Sequence, residues 1–309
     1  MSLSRRATRL VLPVLAAGLA LLGAAACAPT DQGGSNPSPS ASTADTTAAE
    51  GGSGDGTTDN ATCTKADLKT QTPGVFTVAT DNPAYPPWFI DDKPSNGKGY
   101  ESAVAYAVAK KLGYTRSEVK WVTASFNSVI APGPKKFDVD INQVSISPAR
   151  KKAVDFSSGY YDVRQVIVTY KGSKIADAKS IADLKDALLG AQVGTTSYTA
   201  LIDQIDPSQK PRVYDTNDLA VQALKNHAID GVVVDLPTGF YMASAQLKNG
   251  VIVGTLPLQG KPEQFGMVLD KGSPLTSCVS QAVDALRKDG TLAKLEKKWL
   301  SNAGAPELS

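Results

Sequence analysis

Asn142-Gln-Val-Ser-Ile-Ser-Pro-Ala-Arg-Lys-Lys-Ala-Val-Asp-Phe156 reads as a polar strand end followed at once by a helix start with an arginine, Arg150, at its mouth. About eighty residues later the apolar run Gly231-Val-Val-Val delivers one aspartate, Asp235. One fixed cation and one fixed anion at the ends of two strands suit a small zwitterion such as a free amino acid. A guanidinium grips a carboxylate through a rigid two-pronged fork, and a carboxylate accepts from an ammonium.

Outward from that pair, the chain alternates strand and helix. Phe76-Thr-Val-Ala-Thr80 predicts a strand, and the proline-rich stretch Asp81 to Phe89 predicts a loop. Gly99 to Leu112 predicts a helix, with Val104, Ala107, Val108 and Leu112 on one face and Gly113 as its stop. Strands are expected at 119–122, 137–141, 165–170, 191–194, 231–234 and 265–269. Helices are expected at 181–189, 198–205, 217–227 and 275–300, the last broken at Asp289-Gly290. Such alternation implies an α/β protein of parallel sheets with helices on both faces, and ligands in such sheets collect at the carboxyl ends of strands.

The N-terminus fixes the compartment. Arg5, Arg6 and Arg9 precede the apolar run Leu10 to Leu22 and the small residues before Cys27, the plan of a secretory signal over residues 1–26. Cys27 after small residues resembles a bacterial lipobox, although most lipoboxes have Leu where Ala24 stands; the alternative is a soluble secreted protein in which Cys27 is incidental. Residues 27–62 form a Gly, Ser, Thr, Ala, Pro and Asp tether that cannot bury enough apolar surface to offset its ordering entropy. The expected location is extracytoplasmic, moored to the outer face of the membrane through lipidated Cys27.

Charge and cysteines narrow the function. The leader holds three of the 32 basic residues and the tether five of the 30 acids, so residues 63–309 carry 29 basic against 25 acidic side chains, a formal +4. That balance names no polyanionic partner, and no nucleic acid is expected. Cys63 and Cys278 are expected to pair in an exported domain, the alternative being two free buried thiols. With His227 the single histidine, no Cys/His cluster of zinc spacing exists, and neither metal nor cofactor is expected.

Four segments carry a resemblance. Gly99-Tyr-Glu-Ser-Ala-Val and the helix after it resemble the signature of bacterial solute-binding proteins of the polar amino-acid family, which deliver substrate to ABC importers. Phe137-Asp through Ser145-Ile-Ser-Pro-Ala-Arg150 and Val154-Asp-Phe-Ser, then Asp230 to Asp235, then Asp289 to Trp299 match in the same order, so the resemblance spans about Thr72 to Leu300. It implies a type II periplasmic-binding-protein clamshell of two α/β lobes joined by two crossing strands. Lobe 1 would be 63–164 plus 262–309 and lobe 2 would be 165–261, which places Cys63 and Cys278 in the same lobe. The implied partners are a free L-amino acid and the importer permease, with the protein acting as a monomer.

The resemblance also implies roles residue by residue. Arg150 would clamp the ligand carboxylate and Asp235 would receive its ammonium. Ser145 and the turn Gly194-Thr-Thr-Ser197-Tyr-Thr199 would meet the ligand's main-chain atoms, with Ser197 and Thr199 as the named contacts. Tyr85 and Phe126 would sandwich the ligand, and Trp88 would line the cleft or pack beneath it. Asp81 and Asn82 would approach the ligand side chain, and Gln143, a departure from the family's small residue, would bring a larger amide near the pocket. Departures are visible: Tyr198 stands for a family glycine, Ala103 for an acid, Ala131-Pro-Gly-Pro for a helical segment, and Asn142-Gln143 for small Ser or Gly residues. Two other functions fit the same fold: a ligand-presenting partner of a sensor, and a lyase. The chain makes no Ser-His-Asp or Cys-His constellation, so it reads as a non-enzyme.

Overall fold

Phe76-Thr-Val-Ala-Thr80 is buried along its whole length because it is the inner strand of a sheet covered on both faces. The computed structural model describes residues 63–300 and 304–309; the expected leader, the Cys27 lipidation position and the tether through residue 62 lie outside the described residues. In chain order the strands are β1 (Phe76–Thr80), β2 (Val119–Thr123), β3 (Val139–Asp140), β4 (Asp155–Val163), β5 (Gln165–Tyr170), β6 (Leu189–Gln192), β7 (Arg212–Tyr214), β8 (Gly231–Asp235), β9 (Gly250–Thr255) and β10 (Glu263–Leu269). The helices are α1 (Tyr100–Lys111), α2 (Phe126–Ile130), α3 (Thr196–Ala200), α4 (Asn217–Lys225), α5 (Leu236–Tyr241), α6 (Thr276–Lys288) and α7 (Thr291–Trp299).

Two five-stranded sheets result, ordered β2-β1-β3-β10-β4 and β7-β6-β8-β5-β9. They are mixed rather than purely parallel: β10 runs antiparallel to β3 and β4, and β5 antiparallel to β8 and β9. The first sheet builds lobe 1 and the second builds lobe 2. Each buries an apolar layer on both faces, Phe76, Val104 and Phe265 on one side of the first sheet and Val129 and Phe156 on the other. The chain passes between lobes at Arg164, from β4 into β5, and again from β9 into β10. The two crossings touch where the Leu256 amide donates to the Gln165 carbonyl at 2.9 Å.

Three expected elements differ. The 181–189 helix is a single tight turn over Ala182–Leu184. Tertiary bonds take the groups a helix would have used: the Lys185 carbonyl accepts from the Ser208 amide at 2.8 Å, and the Leu188 amide donates to Asp230 at 2.7 Å. The helix start at Ser147-Pro-Ala-Arg150 is likewise one turn, Arg150–Lys152, because β4 begins three residues later. The 198–205 helix starts earlier, at Thr196, and widens to a π-helix over Leu201–Ile205. Ala131-Pro-Gly-Pro does stop α2 after five residues.

A disulfide joins Cys63 to Cys278, with Cα atoms 5.3 Å apart, and ties the start of lobe 1 to α6. The expected assignment of 262–309 to lobe 1 needs correction at its end. Residues 304–309 lie along lobe 2: the Thr255 amide donates to the Pro306 carbonyl at 2.7 Å, the Leu308 amide donates to the Thr255 carbonyl at 2.9 Å, and Leu308 is buried among Leu184, Ile167 and Val253. The cause is an apolar side chain with a ready slot. Gly254 leaves the space, since a Cβ there would come within 2.8 Å of Leu308.

Candidate functional site

The carboxyl ends of β1 and β8 open onto one cleft of about 420 Å³ between the lobes, the place where α/β sheets collect ligands. From lobe 1 it is lined by Asp81, Asn82, Tyr85, Trp88, Phe126, Gln143, Ser145 and Arg150; Ser197 and Asp235 line it from lobe 2.

Arg150 sits in the turn after Ser147, whose hydroxyl accepts from the Arg150 amide at 3.2 Å. The turn sends Lys151 and Lys152 to solvent and Arg150 inward. Its guanidinium donates to the Ser145 carbonyl at 2.7 Å and to the Gly194 carbonyl, on the opposite lobe, at 2.8 Å. The group lies 5.4 Å from the centre of the Phe126 ring. Two of its five N–H donors are thereby used, and the rest remain to meet a carboxylate. Burial pulls its pKa down from the ordinary value, while Glu263 and then Asp235 oppose that shift.

Asp235 ends the buried run of β8, opposite Gln165 of β5. The Gln165 side-chain amide donates to its Oδ1 at 2.9 Å. Burial, reinforced by the negative charge of Glu263, pushes its carboxyl up to about 8; the Gln165 bond and Arg150 pull the other way. A cation placed beside this carboxyl would favour its charged form.

The aromatic residues divide. Tyr85 faces the cleft, its ring centre 5.7 Å from that of Tyr241. Phe126 lines the cleft beneath Arg150. Trp88 is almost wholly buried, edge-on to Tyr161 and Phe265, and forms the floor. Asp81 accepts from the amides of Asn82 at 2.8 Å and of Phe126 at 3.0 Å, so it fixes the start of α2 as well as lining the cleft. Thr199 corrects an expectation: it is exposed and lines a separate groove behind the cleft. The reason is register. Thr195, the N-cap of α3, and Thr196 take the cleft-facing positions, and Thr199, one turn later, points away. The Thr-Thr pair at the helix start is the signal that could have placed them.

Sequence reasoning missed the second rim of the site. Asp218 at the start of α4, Thr238 in α5 and Thr196 each meet lobe 1 across the cleft. Tyr85 donates to Asp218, the Trp88 indole donates to the Thr238 hydroxyl at 3.0 Å, and the Ser145 and Thr196 hydroxyls are 3.2 Å apart. Among the described residues no cluster of His, Cys, Asp or Glu is arranged to hold a metal ion, and no helix is long and apolar enough to cross a membrane.

A cleft between two lobes, with a guanidinium on one and a carboxylate on the other, is the arrangement of a solute-binding clamshell. Residues 76–302 match the model of bacterial extracellular solute-binding proteins, family 3. The chain belongs to this family. This solute-binding protein is 30% identical over 210 residues to the arginine-binding extracellular protein ArtP of Bacillus subtilis (strain 168), covering 66% of this chain and 78% of that one. It is 31% identical over 220 residues to the L-cystine-binding protein TcyJ of Escherichia coli (strain K12), covering 70% and 79%. Among solved structures it is similar to an ancestral arginine-binding protein bound to glutamine, with a TM-score of 0.61 at 31% identity, covering 74% of this chain and 98% of that one.

Proposed function

We propose that this protein is the extracytoplasmic substrate-binding component of an ABC importer, that it captures a free L-amino acid between its lobes, and that it hands the ligand to a membrane permease. The observation that carries the reading is the opposition of Arg150 and Asp235 across one cleft, a cation for the α-carboxylate and an anion for the α-ammonium. Ser145 and Ser197 complete the main-chain contacts, with Tyr85 and Phe126 on the ligand's faces and Asp81, Asn82 and Gln143 toward its side chain. The protein works by binding rather than catalysis, acts as a monomer, keeps its Cys63–Cys278 bridge in an oxidising compartment, and is held at the membrane through lipidated Cys27.

The charge of the cleft narrows the ligand. Its lining holds four carboxylates, Asp81, Asp215, Asp218 and Asp235, against one cation, Arg150. Once a zwitterion has matched Arg150 and Asp235, three acids remain, which favours a side chain that is cationic or donates hydrogen bonds. The arginine-binding relative and the arginine-binding ancestral structure support this choice. The test is calorimetry of residues 63–309 against a full panel of L-amino acids. Binding at micromolar or tighter affinity, on the order of −8 kcal/mol, with the basic members strongest, is expected. A panel without heat or thermal shift would overturn the reading.

A further inference from the structure

Glu101 lies outside the cleft, yet it is fully buried in the first turn of α1 and three donors converge on it. The Gln143 amide donates to its Oε1 at 2.8 Å, the Gln143 side chain donates to its Oε2, and the Tyr160 hydroxyl donates to Oε1. No lysine or arginine is among these partners. Gln143 itself has φ +49°, the left-handed region that side chains other than glycine rarely adopt.

That conformation has a consequence two residues on. After β3 the chain must reverse so that Val144 returns to the core and its carbonyl accepts from the Gly266 amide at 3.0 Å, with the Ile146 amide donating to the Gln264 carbonyl at 2.8 Å. Only then does the Ser145 carbonyl meet the Arg150 guanidinium at 2.7 Å and the Ser145 hydroxyl meet Thr196 on lobe 2. A residue with a Cβ at 143 resists the turn, and both the main-chain and side-chain donors of Gln143 are tied to the same carboxylate.

We propose that Glu101 is a positioning residue for ligand capture: it clamps Gln143 in the left-handed turn and thereby sets Ser145 and Arg150 at the cleft. This rests on the reading of the cleft as the ligand site. Glu101 touches no ligand, and its effect passes through Gln143. Replacing the carboxylate by an amide of equal size turns one acceptor into a donor facing the Gln143 or Tyr160 donors, so the clamp fails while the core volume is kept. Glycine at 143 would adopt the turn unaided, so the clamp should matter less in that background.

The experiment is a double-mutant cycle with Glu101→Gln, Gln143→Gly and both together, read two ways. In the ligand-free protein, amide hydrogen exchange over residues 142–147 is expected to quicken in Glu101→Gln by tenfold or more, and to quicken much less when Gln143→Gly is also present. Affinity for the tightest amino acid of the panel is expected to fall at least tenfold in Glu101→Gln, with a clearly smaller further loss in the Gln143→Gly background. If both effects of Glu101→Gln are the same in the two backgrounds, Glu101 acts as core packing and the proposal is overturned. Unchanged exchange and affinity in Glu101→Gln overturn it as well. Should Glu101→Gln alone not fold, recovery of folding by Gln143→Gly supports the link, and continued failure overturns it. A wild-type protein that binds no amino acid would sink the reading of the cleft, while the exchange arm would still decide the role of Glu101.

Discussion

The Tyr85 hydroxyl, on the loop after β1, donates a hydrogen bond to the Asp218 carboxylate at the start of α4, 133 residues away and on the other lobe. Burial, then the Asp218 carboxylate, push the phenol's pKa up and keep it a donor. Because the bond bridges the lobes, parting them would break it, and it should favour closure by its own net worth, about 1 kcal/mol. Tyr85→Phe should therefore weaken ligand binding about fivefold, mostly through faster release, which stopped-flow displacement would read. Solution scattering should show a smaller radius of gyration with ligand than without. Superimposable scattering curves would count against lobe closure, and an unchanged release rate against Tyr85 as a closing contact.

Arg150→Ala should abolish measurable binding at ligand concentrations that saturate the wild type. A truncated partner of a desolvated ion pair costs about 2–5 kcal/mol. Folding should survive, because the two carbonyls that Arg150 bonds lie beside an open cleft that water can enter. Calorimetry together with a melting curve separates the two outcomes. A variant that melts normally and binds normally removes Arg150 from the site.

If Asp235 receives the ligand's ammonium as proposed, binding should be proton-linked. Its carboxyl in the empty cleft is raised to about 8, against an ordinary value near 4. At pH 7 the empty form is then expected to carry the proton, which the proposed ammonium would displace. Titrations at pH 7 in two buffers of different ionisation enthalpy should report proton release on binding. Proton uptake, or none, would contradict the ammonium contact. The sign for stability follows from the same shift. The raised value favours the empty folded state fully below about pH 4, and that contribution is lost as the pH rises toward 8. Asp235→Asn should flatten the decline.

The Cys63–Cys278 bridge closes a loop with a sequence separation of 215 residues. Chain entropy assigns such a loop about 5 kcal/mol, with measured values commonly lower. Alkylation without reductant should leave both cysteines unmodified by intact mass, and reduction should lower the melting temperature. Two alkylated cysteines in the native protein would show that the bridge does not form.

Much of this was legible because local and global preferences agree in the decisive segments. Gly231-Val-Val-Val-Asp235 reads as a buried strand ending in an acid, and it is one, at the middle of its sheet. Phe76–Thr80 is equally plain. β4 was missed because Asp-Phe-Ser-Ser-Gly-Tyr-Tyr-Asp-Val lacks an apolar pattern; it is held by pairing with β10 and by Ser157, whose hydroxyl accepts from the Met267 amide at 2.9 Å. Residues 181–189 have helical spacing, but bonds to Ser208 and Asp230 outweigh it. Thr199 was misplaced by register within one turn. Asp218 and Thr238 gave no local signal, since their roles arise only when the second lobe meets the first.

The tail on lobe 2 ties the two lobes together along one edge. Leu300 is packed in lobe 1, while Ala305 and Leu308 are seated in lobe 2. The four-residue step from Leu300 to Gly304 can reach roughly 14 Å at full extension. Along that edge the lobes cannot part farther without peeling Leu308 from its slot and breaking the ion pair between Glu307 and Arg164. Opening of the cleft is therefore expected from the opposite side, with the width of the mouth set by this short covalent tie as well as by the crossing strands.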